Sequence, residues 1–390
     1  MKHYKYLIAG GGQAGDAAVR GIRGLDTEGS IGMICSEIDP PYSRPTLSKR
    51  LWQGLPIEKI WRNTEKLGSD LHLDCTVTKI NPENKTVLDD KGKEYSYDKL
   101  LLATGGSPIR LPFGEDEIIY YHDLQDYKQL RALSERGENF LVIGGGFIGS
   151  EIAAALTMAG KNVTMVFPEN DIGANVYPAQ LSKFISEYFR KKGVEVISGD
   201  TIVSLEKTGE KISVHTKGGT IFEADGVVAG IGIRPNIELA KEAGLSIGNG
   251  IIVDEHLKTS VSDIYAAGDV ASFYHSALGK RIRLEHENNA VTMGRMAGKN
   301  MAGANESYTY IPMFYSDLFD LRYEAVGELN STLETVVDWK EPFKKGVIYY
   351  LKEERVRGIL LWNMKNLLSD ARSLLEELGP FKASDLIDRL

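Results

Sequence analysis

The chain has 390 residues, more than one hydrophobic core usually serves, so two or three domains are expected. Apolar residues make up 42%, and 41 glycines against 13 prolines without a low-complexity tract point to tight turns and ligand loops rather than disorder. A formal net charge of −8 gives no electrostatic case for nucleic-acid binding, and no apolar run reaches membrane-spanning length, so neither nucleic acid nor membrane is an expected partner.

The N-terminus enters a strand-like run at once, with Tyr4, Tyr6, Leu7 and Ile8, which leaves no room for a targeting peptide and makes a cytoplasmic location the expectation. The run Tyr6–Ala9 leads into Gly10-Gly11-Gly12-Gln13-Ala14-Gly15, and a helix-like stretch with Ala17, Ala18 and Val19 follows. In a strand, glycine turn and helix of this kind, Gly10 permits the tight turn, Gly12 lets backbone N–H groups reach a pyrophosphate, and Gly15 lets helix pack on strand. The helix N-terminus then faces the phosphates. A second strand, Ile31–Cys35, ends at Glu37, 22 residues beyond Gly15, where a carboxylate can accept hydrogen bonds from ribose hydroxyls. Cys35 and Cys75 are the only cysteines and form no close pair, so both are expected to be structural, with no disulfide framework, dithiol centre or metal site.

Leu100-Leu101-Leu102-Ala103-Thr104-Gly105-Gly106 reads as a buried strand ending in glycine. The phosphate-binding device then recurs: strand Phe140–Ile143, Gly144-Gly145-Gly146-Phe147-Ile148-Gly149, a helix through Ile152, Ala153, Ala155 and Leu156, and the strand Val163–Phe167. One such motif is weak, but two in one chain imply two dinucleotides. Phe167 occupies the place where an acid usually ends the strand, and the next carboxylate is Glu169, 20 residues beyond Gly149. Glu169-Asn170-Asp171-Ile172 offers two acids and no cation for a 2′-phosphate, so NADH is expected over NADPH; a plain surface charge is the alternative for Glu169. Val227–Asn236 and Ile264–Val270 are further buried-strand patterns that run into glycine. Past His286, Ala290, Val291, Met293, Ala297 and Met301 have helical spacing, and a positive helix end there would stabilise a negatively charged cofactor; His286 itself reads equally as a structural histidine or a cofactor neighbour. From about residue 307, strand-like runs at Ala325–Gly327, Thr335–Asp338, Val347–Leu351 and Arg357–Trp362 predict an antiparallel sheet. A helix from an N-cap at Ser369 to Gly379 and a last one capped by Ser384 complete the chain.

This order of glycine fingerprint, A-T-G turn, second fingerprint and G-D turn resembles that of the two-dinucleotide-domain flavoprotein reductases, in the pyridine nucleotide-disulfide oxidoreductase superfamily. The resemblance spans nearly the whole chain. It implies an α/β protein with two Rossmann-like dinucleotide-binding domains, for FAD and NAD, and a C-terminal α+β domain with an antiparallel sheet. FAD is then expected in a discontinuous domain of residues 1–112 and 232–306, and NADH in residues 113–231. Residues 307–390 resemble the family's interface or dimerisation domain, so a homodimer is a candidate assembly.

Glutathione-reductase-like members place a cysteine pair downstream of the first acid, whereas here Pro40-Pro41-Tyr42-Ser43-Arg44-Pro45-Thr46-Leu47-Ser48-Lys49 holds no cysteine. That stretch is similar to the P-Y-x-R-P-x-L-S-K signature of the ferredoxin and rubredoxin reductases and of apoptosis-inducing factor. The likeness to apoptosis-inducing factor continues through Gly144–Glu151, Phe167-Pro168-Glu169, Met313–Leu318, Tyr323-Glu324-Ala325, Gly346–Leu351 and Ile359–Asn363. It implies a catalytic pair, Lys49 with Glu151, beside the flavin; an ordinary interdomain salt bridge is the other reading of that pair. It puts Arg44 near the FAD phosphates, Asp269 on the ribityl or pyrophosphate part, Phe147 in the nicotinamide pocket and Glu169 on the NAD ribose.

In full, the resemblance places Gly10, Gly12, Gln13, Ala14, Gly15, Glu37, Arg44, Lys49, Val77, Ala103, Thr104, Gly105, Asp269, Glu285, His286, Phe314 and Tyr315 around FAD. It places Gly144, Gly146, Phe147, Ile148, Gly149, Glu151, Glu169, Gly230, Ile231 and Gly232 around NAD. Aromatic core residues are the alternative for Phe314 and Tyr315. The chain departs from that family at Tyr315, where the family has tryptophan, and in Leu284–Ala290, which follows its E-H-rich turn only in part. The implied function is an NADH oxidoreductase that passes electrons through FAD to a carrier such as rubredoxin or ferredoxin, a quinone or dioxygen. The alternative is an NADH-responsive redox sensor that forms a lasting charge-transfer complex and dimerises.

Overall fold

The strand Lys2–Ala9 is buried throughout its last four residues, as a parallel strand covered on both faces should be. It pairs in parallel with Ile31–Ile34 on one side and with Glu94–Leu102 on the other. The sheet runs Ser69–His72, Ile31–Ile34, Lys2–Ala9, Glu94–Leu102, Thr86–Asp89, Val77–Asn81, and Ile264–Ala266 adds a further parallel partner to Glu94–Leu102. These elements belong to the first of two compact units in a computed structural model that describes residues 1–390: Met1–Pro45, Pro56–Ser107 and Arg234–Pro312. Helix Gln13–Arg23 lies against helix Glu287–Met301 at glycine contacts so close that a Cβ on Gly294 would stand 2.2 Å from the Ala14 carbonyl oxygen.

The second unit comprises Thr46–Leu55, Pro108–Ile233 and Met313–Leu390. Its parallel sheet has the order Val194–Ser198, Asn162–Phe167, Asn139–Ile143, Gly226–Ala229, Ile118–Tyr120. Helix Leu124–Arg136 starts at a capping box in which Asp123 accepts from Asp126 N–H and the Asp126 carboxylate reaches back to Asp123 N–H. The C-terminal sheet is antiparallel, in the order Met313–Leu318, Leu321–Gly327, Arg355–Trp362, Lys345–Lys352, Glu334–Glu341. The expected class, two Rossmann-like α/β folds plus an antiparallel C-terminal sheet, is what the chain adopts.

Two capping expectations need correction. The helix assigned to Ser369–Gly379 spans Leu368–Glu376, with Leu367 at its N-cap and no side-chain cap. It ends early because Glu377 turns to extended backbone ahead of Gly379-Pro380, where a proline cannot continue a helix. The last helix, Ala383–Leu386, already contains Ser384; the Asp385 carboxylate instead accepts from Lys382 N–H. Both cysteines are free and buried; burial, with Glu37 for Cys35 and Asp89 for Cys75, pushes each thiol up to about 12. No helix is long and apolar enough to cross a membrane.

Candidate active site

In the first unit the strand Lys2–Ala9 delivers the chain into a turn that only glycine fits. Gly10 has φ of 122°, and a Cβ there would lie 2.1 Å from the Ala103 carbonyl oxygen. Gly12 is the N-cap of helix Gln13–Arg23, makes no side-chain cap, and a Cβ on it would meet no protein atom within 4 Å. The Gly12 corner of that helix N-terminus is therefore open, as the approach of a pyrophosphate to the backbone requires. The predicted Ala103-Thr104-Gly105 turn borders this cradle and is clamped by Asn236, whose side-chain amide donates to Thr104 O at 2.8 Å and whose backbone carbonyl accepts from Thr104 Oγ1 at 3.0 Å. Gly268 brings Asp269 to the same place, since a Cβ on Gly268 would be 2.8 Å from the Ala14 Cβ.

Around the cradle the charges are paired. The Glu37 carboxylate accepts from Tyr42 OH at 2.6 Å and from Arg44 Nη2 at 2.5 Å, so the expected ribose clamp is preoriented by two donors. Asp74 N–H donates to Glu37 O, three residues before Val77, which pairs with Asp89 in the sheet. Arg283 donates from Nη1 to the Asp269 carbonyl and pairs through Nη2 with Glu285 at 2.7 Å. Burial pushes the Asp269 carboxyl up to about 6; Glu285 adds to the rise while Arg44 and Arg283 oppose it. His286 is the N-cap residue of helix Glu287–Met301 without capping through its side chain, and burial pushes it down to about 4. Gln13 donates to Glu287 at 2.5 Å, tying that helix end to the fingerprint.

The second unit repeats the cradle. Gly146 is the uncapped N-cap of helix Phe147–Met158, and a Cβ there would again meet nothing within 4 Å. Gly230 abuts it so tightly that a Cβ would lie 2.8 Å from Gly149 N, with Ile231 and Gly232 following. The loop after strand Asn162–Phe167 folds back through a Gly173 N–H bond to Gly145 O. Within that loop Asn175 Nδ2 donates to Glu169 Oε1 at 3.1 Å. Phe147 and Phe314 meet edge to face at 6.0 Å.

Lys49 and Glu151, far apart in sequence, meet in this unit: Lys49 Nζ is 2.6 Å from Glu151 Oε2. The ammonium also stands 5.3 Å from the centre of the Tyr315 ring. Of the residues expected around FAD, Lys49, Phe314 and Tyr315 thus fall in the second unit, while the rest lie in the first. Asn236, Asn175, Ser48 and Ser316 were not singled out as site residues, although Ser48 stands in the stretch 40–49 and Ser316 in Met313–Leu318, both of which carry the resemblance. The side chains of Asn236, Ser48 and Ser316 join distant segments, whereas Asn175 reaches Glu169 within one loop.

Comparisons with known proteins agree with this geometry. Residues 4–294 match the family described as pyridine nucleotide-disulphide oxidoreductase. Residues 297–341 and 337–377 match the C-terminal family of apoptosis-inducing factor, mitochondrion-associated. Apoptosis-inducing factor 1, mitochondrial, of Dictyostelium discoideum is 33% identical over 96% of this chain and 79% of its own. Monodehydroascorbate reductase 3 of Arabidopsis thaliana is 35% identical over 92% of this chain and 89% of its own. Among solved structures, the covalent putidaredoxin reductase–putidaredoxin complex superposes with a TM-score of 0.91 at 28% identity, covering 98% of this chain and 95% of that one. The ferredoxin reductase for the CYP199A2 system from Rhodopseudomonas palustris gives 0.90 at 28% identity, covering 99% and 98%.

Proposed function

We propose, from the premise that this chain belongs to the pyridine nucleotide-disulphide oxidoreductase family and is a NAD(P)H-dependent flavoprotein oxidoreductase, that it takes a hydride from NADH and delivers the electrons to a small carrier protein of the ferredoxin or rubredoxin kind. The family uses FAD and NAD(P)H. One observation carries the reading: two glycine cradles, one in each unit, each at an uncapped helix N-terminus and each with a middle glycine that faces open space.

The first cradle would hold FAD, with its pyrophosphate on the backbone of Gly12, Gln13 and Ala14, Arg44 countering the phosphate charge and Glu37 accepting from the adenosine ribose. Asp269 would accept from the ribityl chain. The second cradle would hold NADH, with Glu169 accepting from the ribose hydroxyls; Glu169 and Asp171, in a stretch 169–172 that contains no cation, oppose a 2′-phosphate. Bound flavin accepts a hydride and gives up electrons singly, the conversion a two-electron donor and a one-electron carrier need. Phe147 and Phe314 would form an apolar wall for the nicotinamide, excluding water from the reacting edge. Lys49, held by Glu151, would set a fixed positive charge where an electron-rich ring is stabilised by it.

The carrier protein, rather than a quinone or dioxygen, is supported by full-length likeness to a putidaredoxin reductase and to ferredoxin reductases. The test is anaerobic spectroscopy. The purified protein, reconstituted with FAD if colourless, should be yellow, bleach with NADH, and recolour faster with ferredoxin or rubredoxin than with a quinone or air. Failure to bind FAD, or to bleach, removes the reading. The match of the C-terminal segment to apoptosis-inducing factor favours one second reading, an NADH-responsive sensor; sluggish turnover together with NADH-driven dimerisation would select it.

A further inference from the structure

Glu151 is 4% exposed, and three donors converge on its carboxylate. Ser48 Oγ and Lys49 Nζ each reach Oε2 at 2.6 Å, and Ser316 Oγ reaches Oε1 at 2.6 Å. The four residues sit on three separate segments of the second unit: 46–55, helix Phe147–Met158 and strand Met313–Leu318. A carboxylate so deeply buried keeps its charge only when its lone pairs are met, and a single ammonium meets one oxygen. The serines supply the rest. The other titratable groups that face Glu151 are Tyr121, Tyr177 and Tyr323. Burial holds all three phenols above their ordinary value, so they stay neutral. Tyr121 donates to Leu47 O at 2.6 Å and Tyr177 to Tyr323 OH at 2.9 Å. Lys49 is therefore the cation at Glu151, and the hydroxyls of Ser48 and Ser316 decide whether that cation stays in place.

We propose that Ser48 and Ser316 are positioning residues for the redox centre: by donating to both oxygens of Glu151 they fix its carboxylate, and so confine the Lys49 ammonium to one site against the Tyr315 ring. The proposal rests on the reading that Lys49 acts on a bound flavin. With one hydroxyl gone, the buried carboxylate loses a donor, and the Lys49 ammonium is no longer confined to one position.

The test uses the FAD-loaded full chain with Ser48→Ala, Ser316→Ala, Ser316→Thr and Lys49→Met. Two quantities are followed: the flavin midpoint potential, by anaerobic dye-coupled titration, and the rate of bleaching by NADH. Losing one hydrogen bond to a charged group should slow bleaching by roughly 10-fold in each alanine variant. The potential of both should be displaced towards that of Lys49→Met, and Ser316→Thr should restore the parent values. Parent values in both alanine variants, beside a displaced potential in Lys49→Met, overturn this proposal alone. A parent potential in Lys49→Met overturns it together with the assigned role of Lys49. Should Ser316→Ala not fold, Ser48→Ala decides the matter, because it removes a donor from the other side of the same carboxylate.

Discussion

Lys49 and Glu151 form an ion pair of 2.6 Å in which the lysine side chain is 11% exposed and the glutamate 4%. A pair this enclosed is asymmetric in its energetics: keeping it adds little net stability, but removing one partner strands a buried charge at a cost of roughly 3–5 kcal/mol. Lys49→Ala is therefore expected to lower stability by an amount of that order and also to slow flavin reduction by NADH, or to lower the flavin potential, because a fixed cation is lost. Stopped-flow reduction and a redox titration, run beside urea unfolding, separate the two effects. A destabilised variant with the parent rate and the parent potential would make the pair an ordinary salt bridge.

The cradles were legible in the sequence because their physics is local. Three glycines at fixed spacing between a strand and a helix have few other uses, and the positive φ of Gly10 and the open face of Gly12 are what that spacing prescribes. The meeting of Lys49 with Glu151 was not local; it came from resemblance, since no periodicity links the two segments. Ser316 and Asn236 were missed for the same reason: each acts through a side chain that crosses to another stretch of chain. Ser369 and Ser384 were misread because a serine near a helix start is a common cap, whereas here each cap falls two residues earlier.

The choice between the two nicotinamide cofactors should turn on Glu169. Its Oε1 is steadied by Asn175 Nδ2 at 3.1 Å, which leaves the carboxylate oriented to accept from paired ribose hydroxyls. A hydrogen bond to a charged group contributes about 1.5–3 kcal/mol, so Glu169→Ala should weaken NADH binding by roughly 10- to 100-fold. Glu169→Arg should bring NADPH level with NADH or ahead of it, by supplying a cation for the 2′-phosphate. Asn175→Ala should act in the same direction as Glu169→Ala but less strongly. Dissociation constants from flavin-perturbation titrations would check the series; unchanged values would remove Glu169 from the site.

The two cradles should fail independently. A Cβ on Gly12 or on Gly146 meets no protein atom, so both alanine variants, freed of cofactor, should melt at the temperature of the cofactor-free parent. The methyl group would project into the space meant for phosphate. Gly12→Ala is then expected to purify without flavin, while Gly146→Ala stays yellow but no longer bleaches at NADH levels that bleach the parent. Gly10→Ala is the contrasting case: with φ of 122° and a carbonyl oxygen 2.1 Å away, it should lose stability outright, by about 1–3 kcal/mol. Flavin content and melting curves decide all three. Loss of flavin from Gly146→Ala with retention by Gly12→Ala would exchange the two assignments.

Asp269 and His286 set up opposed pH dependences in the cofactor-free chain. Asp269 is raised from 3.8 to about 6, so the fold keeps a proton that the unfolded chain releases, and its contribution to stability declines as pH rises through that interval. His286 is lowered from 6.5 to about 4, so the fold refuses a proton that the unfolded chain takes, and its contribution grows as pH rises from about 4 and is complete above 6.5. Each amounts to something on the order of 2 kcal/mol once water at these partly open positions is allowed for. Because the windows overlap and the signs differ, the parent protein should show little net slope from these two groups. Asp269→Asn should leave stability climbing with pH across the window, and His286→Gln should leave it descending. Urea unfolding at a series of pH values would show the divergence, and three parallel curves would mean that neither group is held away from its ordinary protonation.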